Sequence, residues 1–351
     1  MLPDGGDGNP GPVPWNVPAA PVTGVFQFDN NKTYEPDGDI EAIEQLTLQA
    51  ANQRRPYLRR TVAAGGEWVF AALPKEEVLP DEPDPAANDR QLTLDGLWIG
   101  IEEEGAVAVP VPCEPVMATL VLQGGFDRVV IRHCSLDPGG EQARVDPDLC
   151  RVIPFVTLLV RGNVEELIIE SSILGPIVEN EVAGERGTIQ KLEVRDSIIQ
   201  SIDGDTLPAI RTALGQVKLE RTTVFGALES NRLYASDSLI QGLVTVTDNQ
   251  HGCFRFSATN DDPRLRLPQR YESHLYAPAL PNHFFVSRRF GDAGFAQLSD
   301  GAPPVILRGA ENRSEMGAFS GLLGPIKRDD LDAKVNEFMP FGLIAQFINE
   351  T

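Results

Sequence analysis

The sequence predicts an all-β chain wound as a right-handed parallel β-helix (a solenoid), closed by an irregular C-terminal cap lobe containing one short helix. Three observations predict it. An eight-residue pattern returns six times between residues 92 and 240, its copies are unevenly spaced, and glycine (32) and proline (28) are abundant in a chain of 351 residues. The copies are Leu92–Ile99, Val129–Leu136, Leu167–Leu174, Leu192–Ile199, Val217–Val224 and Leu233–Ile240, beginning 37, 38, 25, 25 and 16 residues apart. Each is apolar at its first, third and eighth positions, polar at the fourth and usually small at the sixth. A helical solenoid holds its repeat length by helix packing; stacked strands tolerate loops of any length between them.

Taken in chain order, residues 1–22 are dominated by Gly, Pro and Asp, which predicts a flexible arm. Residues 23–250 are assigned to the β-helix and 251–351 to the cap lobe. Leu46 to Ala51 alternates as a strand, Asn52 and Pro56 mark turns, and Tyr57-Leu58 restarts extended chain. Pro74 to Asn88 reads as a loop leaving the body. Within each copy, alternation points the first and third side chains inward. The small sixth residue (Cys134, Ser172, Ser197, Thr222, Ser238) falls where the chain bends, and its hydroxyl can satisfy a turn amide. Gly175, Gly226 and Gly242 follow at the next corner, before the apolar pairs Ile177-Val178, Ala227-Leu228 and Leu243-Val244. At ~4.8 Å per coil the copies stack into a rod at least ~30 Å long.

Past His251 the repeat fades. Ile326 to Met339 predicts a short amphipathic helix with Leu331, Val335 and Phe338 on one face, stopped by Pro340. Phe341 to Ile348 is apolar and is expected to fold back over the last coil, whose bare strand edges would otherwise invite stacking.

A net charge of −21 argues against sequence-independent nucleic-acid binding and against docking on an anionic membrane. Much of the excess lies between Glu67 and Glu104, where Lys75 and Arg90 are the cations. No apolar run approaches the ~18 residues of a membrane helix. The opening Met1-Leu2-Pro3-Asp4-Gly5 is not a signal peptide, which predicts cytoplasmic synthesis. Cys113, Cys134, Cys150 and Cys253 have no metal-ligand spacing and read as reduced thiols.

Catalytic signatures are scarce. There is no nucleophile elbow, phosphate loop or His-Glu-x-x-His. His133, His251, His274 and His283 stand in unlike contexts. Gly5 to Asn9 imitates part of a calcium-binding repeat once, and Asp203-Gly204-Asp205 reads as a turn before it reads as a calcium site. Asn31-Lys32-Thr33 and Asn312-Arg313-Ser314 match the glycosylation triplet. The sequence therefore predicts no cofactor and no metal. One chemical alternative stands: Asp95, Glu170, Asp196, Glu220 and Asp237 occupy fourth and fifth positions and form a carboxylate ladder. Two carboxyls ~5–9 Å apart suit glycoside hydrolysis, with Asp196 and Glu220 as the catalytic candidates of a polysaccharide lyase or glycoside hydrolase. The opposing expectation is that these acids are turn residues paired with Arg195 and Arg221.

The copies around Ile131, Ile173 and Val224 resemble a family of bacterial right-handed β-helix proteins encoded beside phage-tail-like contractile injection systems. The resembling stretches are Leu92–Ile99, Val129–Gly139, Glu170–Ile177, Thr222–Gly226, Gly252–Ser257, Pro268–Tyr271, Phe290–Leu298, Gly309–Glu311 and Ser314–Phe319. The likeness runs from about residue 33 to the C-terminus, and the block 252–319 is its most specific part, because β-helix periodicity does not require those words. The family often has a close Cys pair where Cys150 stands alone, and a Cys where Ser273 and His274 stand, so no shared thiol role carries over. The resemblance implies a particle-associated structural or surface-binding protein at the baseplate periphery, in a fibre or as an accessory. It brings no catalytic residues. The implied partners are other particle proteins or a target-cell glycan, met through loops Glu102–Met117, Asp137–Ile153 and Glu179–Thr188. A homotrimer, the state of β-helix tail spikes, is compatible with the sequence and not fixed by it.

Overall fold

The computed structural model describes residues 11–63, 66–74, 89–103, 109–110, 117–141, 149–150, 152–202, 207–277, 279–340 and 343. Its strands pair almost wholly in parallel, each with its counterpart one circuit along the chain, giving an all-β, solenoid-like stack. Strands fall into three columns along the stack. The repeat column runs from Val22–Phe28 through strands such as Thr188–Arg195 and Gln216–Glu220 to Arg270–Tyr271. After a corner, the flank sheet of 11 strands runs from Val13–Trp15 to His274–Tyr276. A short third column, with Ile177–Glu179, Ile210–Arg211, Leu228–Ser230 and Val244–Val246, completes the circuit. In Met117–Arg132 and Val152–Glu170 the third and repeat columns fuse into one long strand in continuous register.

The pattern dictates the core. First and third positions such as Leu92 and Leu94, Leu167 and Ile169, or Leu192 and Val194 are sealed from solvent, as are eighth positions Ile99, Leu136, Leu174, Ile199, Val224 and Ile240. Each fully buried aliphatic side chain contributes roughly 1.5–3 kcal/mol.

The corner after each repeat strand is one residue in the left-handed region. His133, Ser171, Asp196, Arg221, Asp237, Phe256 and Glu272 have φ between 47° and 54°, and Gly96 takes the same place at 74°. Each is the fifth residue of its segment. The sixth residue then ties circuits together. The Ser172 Oγ accepts from the Cys134 amide at 3.0 Å, and the Ser197 Oγ accepts from the Ser172 amide at 3.0 Å. The Ser238 Oγ accepts from the Thr222 amide at 3.2 Å, and the Ser257 Oγ from the Ser238 amide at 3.0 Å. These hydroxyls satisfy amides of the neighbouring circuit, so the expected turn bond is made between coils.

Several boundaries differ from the sequence expectation. The stack continues past residue 250, through Gly252–Arg255, Ala258–Asn260, Arg270–Tyr271 and His274–Tyr276. Residues 13–15 are not part of a free arm: Val13–Trp15 pairs in parallel with Tyr34–Pro36 as the first strand of the flank sheet. The C-terminal lobe lies along the side of the stack, not over its end. Leu280, Phe284, Phe285, Phe295, Ile306 and Met316 pack on Ile198, Phe225, Leu239 and Ala258, which are outward residues of the flank sheet. Gly324–Phe338 is helical but buries no residue, with Leu331 48% and Phe338 85% exposed, so its apolar stripe faces outward. Arg308–Asp329 and Arg328–Asp300 ion pairs hold it to the lobe. The fold-back proposed for Phe341 to Ile348 (apart from Leu343, which is exposed), the loop Pro74 to Asn88 (beyond Pro74) and the Gly5 to Asn9 segment lie outside the described residues. Among the described residues no helix is long and apolar enough to cross a membrane.

Candidate functional site

Parallel register stacks the fourth positions directly over one another. Asp95, Arg132, Glu170, Arg195 and Glu220 follow in that order, an acid always next to an arginine. The ladder foreseen as carboxylates is therefore an alternating one. Asp95 takes both Arg132 and His133, at 2.9 and 3.0 Å. Other charged residues of the outward face join a connected network. Glu166 pairs with Arg128 (3.3 Å) and Lys191 (2.9 Å), and Lys191 reaches Glu193 (2.8 Å). Glu193 also meets Arg195 (2.5 Å) and Lys218 (3.8 Å). Arg195 reaches Glu220 at 3.8 Å, and Arg221 closes the chain.

Arg221 decides the fate of both catalytic candidates. Its Nε and Nη2 donate to the two Asp196 oxygens at 2.6 and 2.9 Å, while its Nη1 donates to Glu220 Oε1 at 2.5 Å. The hydrogen bond to Asp196, and after it that to Glu220, holds the guanidinium above the ordinary arginine value against the effect of burial. Arg221 thus occupies both oxygens of Asp196 and one oxygen of Glu220.

Asp196 and Arg221 nonetheless stand in a cleft of 820 Å³ where the lobe meets the corners, together with Ser171, Asp292, Gln297 and Phe319. Asp237, the next corner acid, serves the lobe: its Oδ1 accepts from the Glu311 amide at 2.6 Å and its carbonyl from the Gly317 amide at 2.7 Å. Thr223 Oγ1 accepts from the Ala318 amide at 3.0 Å. Glu170 ends its strand just before the corner residue Ser171 and stands in register between Arg132 and Arg195.

Further along the flank sheet lies a buried acid that sequence reasoning placed only at a loop start. Asp137 Oδ1 accepts from Trp98 Nε1 at 2.6 Å and its Oδ2 from the Tyr57 hydroxyl at 3.3 Å. Burial pushes the Asp137 carboxyl up to about 7, although both hydrogen bonds pull it down. Burial also raises Tyr57 well above the ordinary phenol value, and the Asp137 charge adds to it. A Cβ on Gly100 would come within 2.2 Å of the Tyr57 hydroxyl oxygen, so glycine leaves room for this pair. The lobe's Phe290 sets its edge on Trp98, with centroids 6.2 Å apart.

Among the described residues no cluster of three or more His, Cys, Asp or Glu is arranged to hold a metal. His251 pairs with Asp248 at 2.9 Å, His274 lies in the last flank strand, and His283 abuts Phe284. Cys134 and Cys253 are free thiols, and burial pushes Cys134 up to about 12. Of the three loops expected to meet partners, Glu179–Thr188 is described throughout. Val182 is exposed at 62%, whereas the Glu179 carboxylate turns inward and accepts from the Ile189 and Ala213 amides, each at 2.7 Å. Much of the other two loops, Cys113, the side chain of Cys150, and Asp203-Gly204-Asp205 lie outside the described residues. The chain matches no protein-family model and no curated protein.

Proposed function

We propose that the stack is a right-handed parallel β-helix serving as a structural or surface-binding component of a phage-tail-like contractile injection particle. The handedness follows from the rule that crossovers between parallel strands of one sheet are right-handed in about 98% of cases. The observation that carries the architectural reading is the clamp of Arg221 on Asp196 and Glu220 within a connected ion-pair face. Those acids stiffen the rod; they are not poised for bond cleavage.

The particle context rests on the resemblance of residues 252–319. That block seats the lobe: Phe295 is buried on the flank sheet, and Gly317 and Ala318 bond to Asp237 and Thr223. What the resembling proteins share on this reading is a side lobe docked on a rod, a surface feature and not a core requirement.

Electron microscopy of particles purified with and without this chain tests the proposal. Loss of density at one station, with co-purification of the chain, is the expected result. A chain that never co-purifies, from particles unchanged by its deletion, sinks the proposal. A reducing-sugar screen tests the enzymatic alternative: turnover abolished by Asp196→Asn or Glu220→Gln would replace the architectural reading with a polysaccharide-cleaving one.

A further inference from the structure

The helix Gly324–Phe338 runs beside the lobe without burying a residue, and a groove of 1050 Å³ opens between the two. Packing of apolar surface normally closes such a gap. Here three large apolar side chains on its walls stay exposed: Val286 of the lobe, Leu322 just before the helix and Leu331 on the helix itself. Leu298, Leu307 and Phe319, which are partly buried against the lobe's core, line it as well. The groove adjoins the cleft at the corners, since Ala293, Gln297, Phe319 and Leu322 belong to both. Its volume exceeds the ~300–1,000 Å³ usual for small-molecule sites, which leaves room for several side chains of a peptide.

Most charges on the walls are matched. Arg308 holds both oxygens of Asp329, at 2.6 and 2.7 Å, and Arg328 takes Asp300. Glu315 differs. Its Oε1 lies 3.7 Å from where a Cβ on Gly324 would stand, at the opening of the helix, and its side chain belongs to the groove lining. Among the described residues this carboxyl has neither an ion pair nor a hydrogen bond, and burial pushes it above the usual carboxylate range with nothing to offset the rise. It is not sealed, because Glu315 keeps part of its surface open to solvent and a guest in the groove can reach it. Lys327, exposed on the helix, makes no ion pair with it. On the adjoining cleft Asp292 also lacks a cation among the described residues; its Oδ2 accepts from the Ser287 hydroxyl at 2.6 Å.

We propose that this groove docks a segment of a partner protein in which one Lys or Arg stands between apolar side chains, with the cation on the Glu315 carboxylate and its apolar neighbours on Val286, Leu322 and Leu331. A carboxylate drawn partly out of water without a partner is unfavourable, and a cation brought by the guest removes that penalty through a charge-assisted hydrogen bond. Apolar side chains on either side of the cation cover what the helix leaves open, as in other peptide grooves. The chain's own last segment, Phe341 to Thr351, is apolar but contains no Lys or Arg, so it cannot supply the cation. The inference gives the proposed particle component a kind of protein partner. It is tested on the isolated full chain, so its failure is separate from any failure to join a particle.

The probe is an array of random nonapeptides, to which the peptide Phe341–Thr351 is added, screened with the labelled full chain. The strongest peptide is then titrated against a copy in which norleucine replaces its basic residue. The selected peptides should place a Lys or Arg between apolar residues, and the norleucine copy should bind about tenfold more weakly or worse. Glu315→Gln should bring the two affinities together at unchanged melting temperature, while Lys327→Gln should leave their ratio intact. Leu322→Gln combined with Leu331→Gln, both at exposed positions, should weaken both peptides. Selection of no peptide, selection of peptides without a basic residue, or a ratio that survives Glu315→Gln would overturn the proposal. Selection of the Phe341–Thr351 peptide above the rest would overturn it too, since the groove would then belong to the chain's own end. If Glu315→Gln lowers the melting temperature, the paired leucine substitutions decide: peptide binding unchanged by them would place the peptide elsewhere on the chain.

Discussion

On the outward face of the repeat column, Glu193 sits among Lys191, Arg195 and Lys218; on the outward face of the flank sheet, Asp137 sits against Trp98 and Tyr57. Both carboxyls are buried. Burial pushes Glu193 up, yet the Lys191 hydrogen bond and the charges of Lys218 and Arg195 outweigh it and leave the group below the usual range. Asp137 has dipoles but, among the described residues, no adjacent cation to offset its burial, and it rises to about 7. Parallel stacking explains the contrast. Register puts each residue over its counterpart, so a column of alternating sign neutralises itself, while the flank column Ile198, Thr223, Leu239 and Ala258 is apolar or neutral and needs a cover. One face finishes itself with charge; the other is finished by the lobe.

The most severe way to break this contrast is to remove the lobe's seat. Phe225 is fully buried between Phe285, at 5.0 Å, and Phe295, at 6.1 Å. Phe225→Ala should cost about 3–5 kcal/mol and expose residues 279–323 to limited proteolysis while the strands stay protected. Uniform protection of the lobe would show that the flank sheet does not depend on its cover.

Asp137→Asn sharpens the comparison with the opposite sign. The native state keeps the Asp137 proton from about pH 4 to about 7, where the unfolded chain has released it. Stability attributable to this residue therefore falls as pH rises across that window and levels above it. Asparagine can still accept from Trp98, so the variant should gain up to about 4 kcal/mol at pH 8 relative to the native protein, with no gain at pH 4. Urea denaturation at both pH values measures it; equal gains at both would exclude titration as the cause.

Glu193→Gln probes the self-neutralised face and should do least. Lys191 and Arg195 retain Glu166 and Glu220, so the expected loss is about 1–2 kcal/mol at pH 7. Because the folded group sits below the usual range, its contribution is present above the unfolded value and disappears as pH falls through the folded one. The variant and native proteins should converge in acid. A larger loss that persists at low pH would mean that packing, not charge, is at work.

The repeat strands were legible because alternation records burial residue by residue, and the six segments all lie in the stack. Its ends were not. Gly252 opens its strand without a side chain, and Arg270 and Tyr271 are exposed, so neither writes an apolar signature. Val13–Trp15 is hidden by Pro14, which a strand tolerates here because it is the outermost of its sheet and its missing amide has a side without a partner. The corner acids were visible as a row, but Asp196 and Asp237 look alike in sequence. What separates them is a partner 25 residues away for one (Arg221) and 74 residues away for the other (Glu311). Asp292 and Phe319 left no signal, since a cleft between the lobe and the corners is made by docking.

Tension applied between the two ends of the stack would load the circuits in series, like the links of a chain, so the weakest junction sets the breaking force. Met117–Arg132 lies along Val152–Glu170 for nearly its whole length, whereas in the last repeat-column step only Phe254 and Arg255 face Arg270 and Tyr271. Pulled from its C-terminal side, the rod should peel from that end one circuit at a time, with its middle the last part to yield.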